Sequence, residues 1–267
     1  MLMKKETMDK IKVVFLDVDG TLISFENHKI PRSAIEALTL AHQNGVRLVI
    51  ATGRVWTDLR DLEEIPYDAV VSLNGAQCVL RDGTEISAKQ IAWEDYVKVR
   101  DFAREHGFPI ALEVEKGILV NMVNDSVVSL AKMIAHPIPP VVDTDREFRE
   151  SHCCQLCLYC DEELEKLMMA GLPGLTVSRW NPHFADINVS GVDKAMGMKD
   201  IADYYGFDIA ETMAFGDGAN DIPMLRSAGI GIAMGTAADS VKIHADYVTG
   251  SVDEDGIRSA LLHFGLI

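Results

Sequence analysis

A short apolar run, Ile11 and then Val13–Leu16, leads directly into Asp17-Val18-Asp19-Gly20-Thr21. An unbroken Val/Phe/Leu segment of this length predicts a strand buried on both faces, as found inside parallel sheets. Strand geometry puts Asp17 and Asp19 on one side, and Gly20 can bend the chain just after them. Two carboxylates at the end of a buried strand are costly unless a cation or a reaction uses them.

The run repeats as a unit. A helix is expected from Arg32 to Asn44, with Pro31 at its start and Gly45 at its end. Strand Val46–Ala51 follows, then Thr52-Gly53-Arg54, a short helix near Trp56–Leu62, and strand Ala69–Leu73 ending at the turn signal Asn74-Gly75. The last third returns to this pattern, with a helix within residues 191–206, strand Met213–Phe215, a helix from Asp221, and apolar Gly229–Met234. Short Val/Ile/Leu strands alternating with amphipathic helices predict an α/β fold with a Rossmann-like, doubly wound parallel sheet.

The middle differs. Helix Trp93–His106 precedes a hairpin, Ile110–Val114 and Ile118–Val123, then a helix near Ser126–Ala135 and a proline-rich link. Further strands are expected at Leu175–Trp180 and Phe184–Val189. This reads as an inserted α+β domain over residues 83–183, dividing a core of residues 1–82 and 184–267. At 267 residues, two domains suit the length.

With 25 basic and 41 acidic residues, the formal charge is −16. That surface repels nucleic acid and anionic membranes, so neither is an expected partner, and an anionic ligand needs local cations or a metal. Lys4 and Lys5 precede an apolar stretch too short for a signal segment or a membrane span, which makes the expected location cytoplasmic. Oligomeric state has no signature in the sequence. Four of the five cysteines fall at 153, 154, 157 and 160. In a strand Cys153 and Cys157 would face one way and Cys154 and Cys160 the other. A four-ligand metal site is then not expected, and buried thiols in a reducing compartment are.

Four segments carry chemistry, each beyond a strand or at a helix start. Asp17 is a plausible nucleophile toward phosphorus, and Asp19 can donate a proton to a leaving oxygen and take one from water. Thr52, Gly53 and neighbouring N–H groups can cradle an anion. Lys194 opens a helix and can neutralise phosphate. Asp217, in Gly216-Asp-Gly-Ala-Asn220-Asp221, is a hard oxygen donor suited to Mg²⁺, with Asn220 and Asp221 adding polar contacts. No Walker sequence is present.

In this order the four segments resemble the haloacid dehalogenase superfamily of phosphohydrolases, and the insertion resembles the cap of its Cof-like branch. The closing segments Gly231–Gly235 and Asp253–Gly256 extend the resemblance over the whole chain. It implies a Mg²⁺-dependent phosphatase of small phosphomonoesters, above all sugar phosphates. Asp17 would be nucleophile and metal ligand, and Asp19 general acid/base with its carbonyl on the metal. Thr52, Gly53, Lys194 and Asn220 would grip phosphate. Asp217 would be the remaining metal carboxylate, and Asp221 would act behind it. Thr236 and Ser251-Val252 depart from common Cof-like residues without touching this chemistry. The cap would set specificity, with Arg179, Trp180 and His183 as candidates alongside Arg54 of the core. The nearest alternative is a phosphomutase of the phosphomannomutase type, which needs several cap cations; a redox or metal protein built on the cysteines and a non-catalytic phosphate binder are further alternatives.

Overall fold

The computed structural model describes residues 10–134 and 136–267; Lys4, Lys5 and Ala135 lie outside them. Strand β1 (Val13–Leu16) is followed by helix α1 (Arg32–Gln43), β2 (Arg47–Ala51), β3 (Ala69–Ser72), β4 (Gln77–Leu80) and β5 (Glu85–Ala88). Helix α2 (Trp93–His106), β6 (Ile110–Val114), β7 (Gly117–Val120), α3 (Asp125–Met133), α4 (Thr144–Glu150), β8 (Gln155–Leu158), α5 (Glu162–Met169), β9 (Leu175–Asn181) and β10 (Phe184–Val189) come next. The chain ends with α6 (Lys194–Tyr205), β11 (Thr212–Gly216), α7 (Ile222–Ser227), β12 (Ile230–Ala233), α8 (Asp239–Lys242), β13 (Tyr247–Val248) and α9 (Gly256–Phe264).

These elements form two compact units, described residues 10–87 with 193–267, and residues 88–192. The first holds an eight-stranded sheet in the order β13-β12-β11-β1-β2-β3-β4-β5. The six strands from β13 to β3 are parallel, and β4 turns back antiparallel on β3. Alternation along β1 sends Val14 and Leu16 to one face and Val13 and Phe15 to the other, all fully buried. The first face packs against Ala37, Leu38 and Ala41 of α1 and Ala260 and Leu261 of α9. The second packs against Met198 and Ile201 of α6 and Met224 and Leu225 of α7. This is the expected doubly wound α/β sheet, with helices on both sides.

The chain steps from β1 to β2 on one side, while β11 joins β1 on the other. Such a reversal opens a crevice at the carboxyl ends of the strands. Asp17 lies directly beyond β1 and Asp217 directly beyond β11, with the Asp17 N–H donating to the Phe215 carbonyl at 3.1 Å.

The second unit is an antiparallel sheet, β7-β6-β8-β10-β9. One face packs Leu112, Leu156, Leu158 and Ile187 against Tyr96 and Val99 of α2, Phe148 of α4 and Met168 of α5. The unit extends beyond the boundary expected at residue 183. Phe184–Val189 pairs with Leu175–Asn181 and also with β8, and a strand hydrogen-bonded on both sides stays with its sheet. On the other side, β5 remains with the first sheet. The expected helix near Trp56–Leu62 is only a 3₁₀ turn, Arg60–Leu62.

The expected facing of the cysteines is corrected. Of the four at 153–160, Cys157 alone lies within a strand, so alternation does not extend to the others. Cys153 and Cys160 pack on the α2 side, whereas Cys157 packs on the opposite face with Ala111 and Tyr159. All five cysteines are buried and none is in a disulfide among the described residues. Burial pushes Cys153 and Cys157 up, and Cys160 up to about 11.

Candidate active site

The first unit supplies a polar cluster from three separate segments of the chain. Lys194 is the first residue of α6, where its helix start is capped by Asp193, whose carboxylate accepts from the Met196 N–H at 2.9 Å. A cation at a helix N-terminus opposes the helix dipole, and Lys194 is also fully buried. Two carboxylates compensate it. Its Nζ donates to Asp17 Oδ1 at 2.5 Å and to Asp221 Oδ1 at 2.6 Å. Burial pulls its pKa down, but Asp17 and Asp221 outweigh that and hold Lys194 above the ordinary lysine range.

Asp221 is fully buried and oriented at both oxygens. While Oδ1 accepts from Lys194, Oδ2 accepts from the N–H groups of Asp217 at 3.0 Å and Gly218 at 2.8 Å. It thereby fixes the loop that presents Asp217. The Thr21 hydroxyl donates to Asp217 Oδ1 at 3.0 Å, tying that loop to the β1 turn. Gly20 makes the approach possible. Its φ is +90°, and a Cβ there would stand 2.3 Å from Asp217 Oδ2.

Carboxylate oxygens of Asp17, Asp217 and Asp221 all lie within 4.8 Å of one another. Burial, then repulsion from Asp221, raises Asp17 well above the usual carboxylate range, although Lys194 opposes the shift. The same two causes lift Asp217 up to about 6. One buried lysine does not offset three carboxylates, and an all-oxygen donor set of this density fits a hard divalent cation.

Asp19 points elsewhere. Its carboxylate accepts from Arg54 Nε at 3.0 Å and Nη2 at 2.5 Å, while Nη1 of the same guanidinium donates to Asp61 at 2.9 Å. Arg54, expected as a substrate contact, is thus a partner of Asp19. Thr52 follows β2 and is buried, its hydroxyl accepting from the Arg54 N–H at 3.1 Å. Next to it, the Gly53 Cα lies against Asn74, since a Cβ there would be 3.3 Å from the Asn74 amide. Asn220 Nδ2 donates to Asn74 Oδ1 at 3.1 Å.

The sequence-predicted residues Asp17, Asp19, Thr52, Gly53, Lys194, Asp217 and Asn220 all belong to this unit. Asn74 and Asp61 were missed. Asn74 read only as a turn signal, yet it is buried with φ 56°, a left-handed conformation that asparagine tolerates. Nothing in the sequence marks Asp61.

Arg179, Trp180 and His183 belong to the second unit. The expectation that Arg179 offers a cation to a substrate is corrected: its Nε donates to Glu165 at 2.6 Å, and Nη1 donates to the carbonyls of Cys160, Asn181 and Pro182 at 3.1, 3.0 and 2.9 Å. It ties α5 to the β9–β10 turn instead. Trp180 lies in β9 beside the register shift against β10, and the exposed His183 follows in the turn, its N–H donating to Asn181 Oδ1.

Comparison with known proteins decides the family. A family profile described as haloacid dehalogenase-like hydrolase matches residues 14–261. The chain belongs to the haloacid dehalogenase-like hydrolases. The protein YkrA of Bacillus subtilis (strain 168) is 32% identical over 258 residues, covering 96% of this chain and 98% of YkrA. Among solved structures, the phosphatase BT1666 of Bacteroides thetaiotaomicron is 51% identical with a TM-score of 0.91, covering 96% of each chain. The subclass IIB sugar phosphatase BT4131 is 39% identical with a TM-score of 0.86, over 96% of this chain and 100% of its own. Within this family the chain is a phosphoric monoester hydrolase. No helix among the described residues is long and apolar enough to cross a membrane.

Proposed function

We propose that this phosphatase hydrolyses small phosphomonoesters, sugar phosphates above all, through a phosphoryl group carried on Asp17. The observation that carries this reading is the placement of Asp17 and Asp217 beyond adjacent strands, with Lys194 on the Asp17 carboxylate. Asp17 attacks phosphorus, and its bond to phosphorus forms as the ester P–O bond breaks. Asp19 gives a proton to the departing oxygen. The resulting Asp19 carboxylate then takes a proton from water as that water attacks the acyl phosphate, releasing inorganic phosphate and restoring Asp17.

Lys194 offsets the repulsion between the Asp17 carboxylate and the phosphoryl oxygens, while Thr52, Gly53 and Asn220 hold those oxygens. Asp17, Asp217 and the Asp19 carbonyl would hold Mg²⁺, which supplies charge neutralisation at the transferring phosphoryl group. Asp221 keeps the Asp217 loop and Lys194 oriented. Substrate choice falls to the second unit, as its cap, and the name of BT4131 as a sugar phosphatase supports the substrate class.

A phosphomutase reading is disfavoured. It requires cap cations to hold a second phosphate, and Arg179, the candidate cation, is committed to Glu165 and three carbonyls. The test is phosphate release from a panel of hexose, pentose and nucleoside phosphates with added Mg²⁺. Isomerised product without released phosphate would overturn the hydrolase reading. Asp19→Asn is expected to retain the fold and lose turnover by about 10²–10⁴-fold, the usual contribution of a general acid–base.

A further inference from the structure

Arg54 stands between two carboxylates. Its Nε and Nη2 take both oxygens of Asp19, and its Nη1 takes Asp61 Oδ2. Its main chain is pinned as well. The Arg54 N–H donates to Thr52 Oγ1, and its carbonyl accepts from the Leu73 N–H at 3.2 Å and the Ser72 hydroxyl at 2.9 Å. The main chain at Asp61 is held by a short turn between buried leucines, the 3₁₀ turn Arg60–Leu62 with Leu59 and Leu62 in the core.

A carboxyl group with both oxygens on a guanidinium cannot also face an ester oxygen. At least one contact between Arg54 and Asp19 must therefore break in every turnover. An arginine with one partner would follow that carboxyl toward the phosphate; an arginine anchored from the far side stays behind. We propose that Asp61 is a positioning residue for the proton-transfer step, holding Arg54 while Asp19 turns from the guanidinium to the leaving oxygen and back. Asp61 is 41% exposed, where an ion pair contributes little to stability, so its effect is on geometry.

The proposal rests on Asp19 acting as general acid, and the experiment separates the two. Phenyl phosphate and p-nitrophenyl phosphate have nearly one shape, but only the phenyl ester needs a proton on its departing oxygen. The value of kcat/KM reports the steps up to transfer onto Asp17. Asp61→Asn and Asp61→Ser should lower kcat/KM for phenyl phosphate about tenfold, within the range of a weakened general acid, and change the nitrophenyl ester less than about twofold. Asp61→Glu, which keeps the carboxylate, should restore most of the loss. An equal fall for both esters, or none for either, in variants that unfold at the wild-type temperature would overturn the role of Asp61. Asp19→Asn that slows both esters equally would overturn the general-acid reading beneath it.

Discussion

At the scale of single residues, the site is a contest between burial and charge. Lys194 is fully buried and is compensated by Asp17 and Asp221. Removing one member of such a group leaves the others as uncompensated buried charges. Lys194→Met is expected to destabilise the protein by about 3–5 kcal/mol, read by urea unfolding at neutral pH; a loss within error of zero would contradict the pairing. The carboxylates set a pH dependence. Burial and Asp221 lift Asp217 up to about 6, so the folded protein binds this proton more tightly than the unfolded chain does. Stability from this group is therefore fully present below its unfolded pKa of about 3.9 and is lost as pH rises through about 6. A bound cation would replace the proton and remove the penalty. Mg²⁺ should raise the melting temperature more at about pH 7.5 than at about pH 5, and an equal gain at both would contradict this origin.

At the scale of elements, the turns beyond the strands carry the geometry. The Gly20 turn has a φ of +90° and leaves no room for a Cβ beside Asp217. Gly20→Ala should cost about 1–3 kcal/mol from the backbone conformation alone and also displace Asp217, lowering turnover further. Activity at the wild-type level would show that the turn tolerates the shift. These turns were legible because each combines a buried strand with a polar residue that burial would otherwise penalise: Asp17 after Leu16, Thr52 after Ala51, Asp217 after Gly216. Asn74 was not legible. Asn-Gly is an ordinary turn signal, and only the fold puts its amide against Asn220 and Gly53. Arg179 failed for the reverse reason. A strand arginine looks available in a sequence, but its carbonyl partners come from the β9–β10 turn and from Cys160, which no local pattern announces.

At the scale of the whole molecule, two units of different construction follow from two kinds of strand. Runs without alternation give the sheet covered on both faces, and the hairpin signals give the antiparallel sheet of the second unit. The switch between them was located only roughly, because Phe184–Val189 reads equally as a strand of either sheet until its partners are known. The cysteines show the same limit, since their facing depends on where β8 stops. Their burial gives a plain test: none of the five thiols should react with a disulfide reagent in the native protein, and all five should after unfolding. Rapid native labelling of Cys157 would contradict its packing.

The claim on which the rest depends is covalent transfer to Asp17. Acid quenching of the enzyme during turnover of a hexose phosphate with Mg²⁺, followed by peptide mass analysis, should find a phosphoryl group on the peptide carrying Asp17. Folded Asp17→Asn protein should show neither that adduct nor phosphate release. Release of phosphate by Asp17→Asn at the wild-type rate would contradict the account.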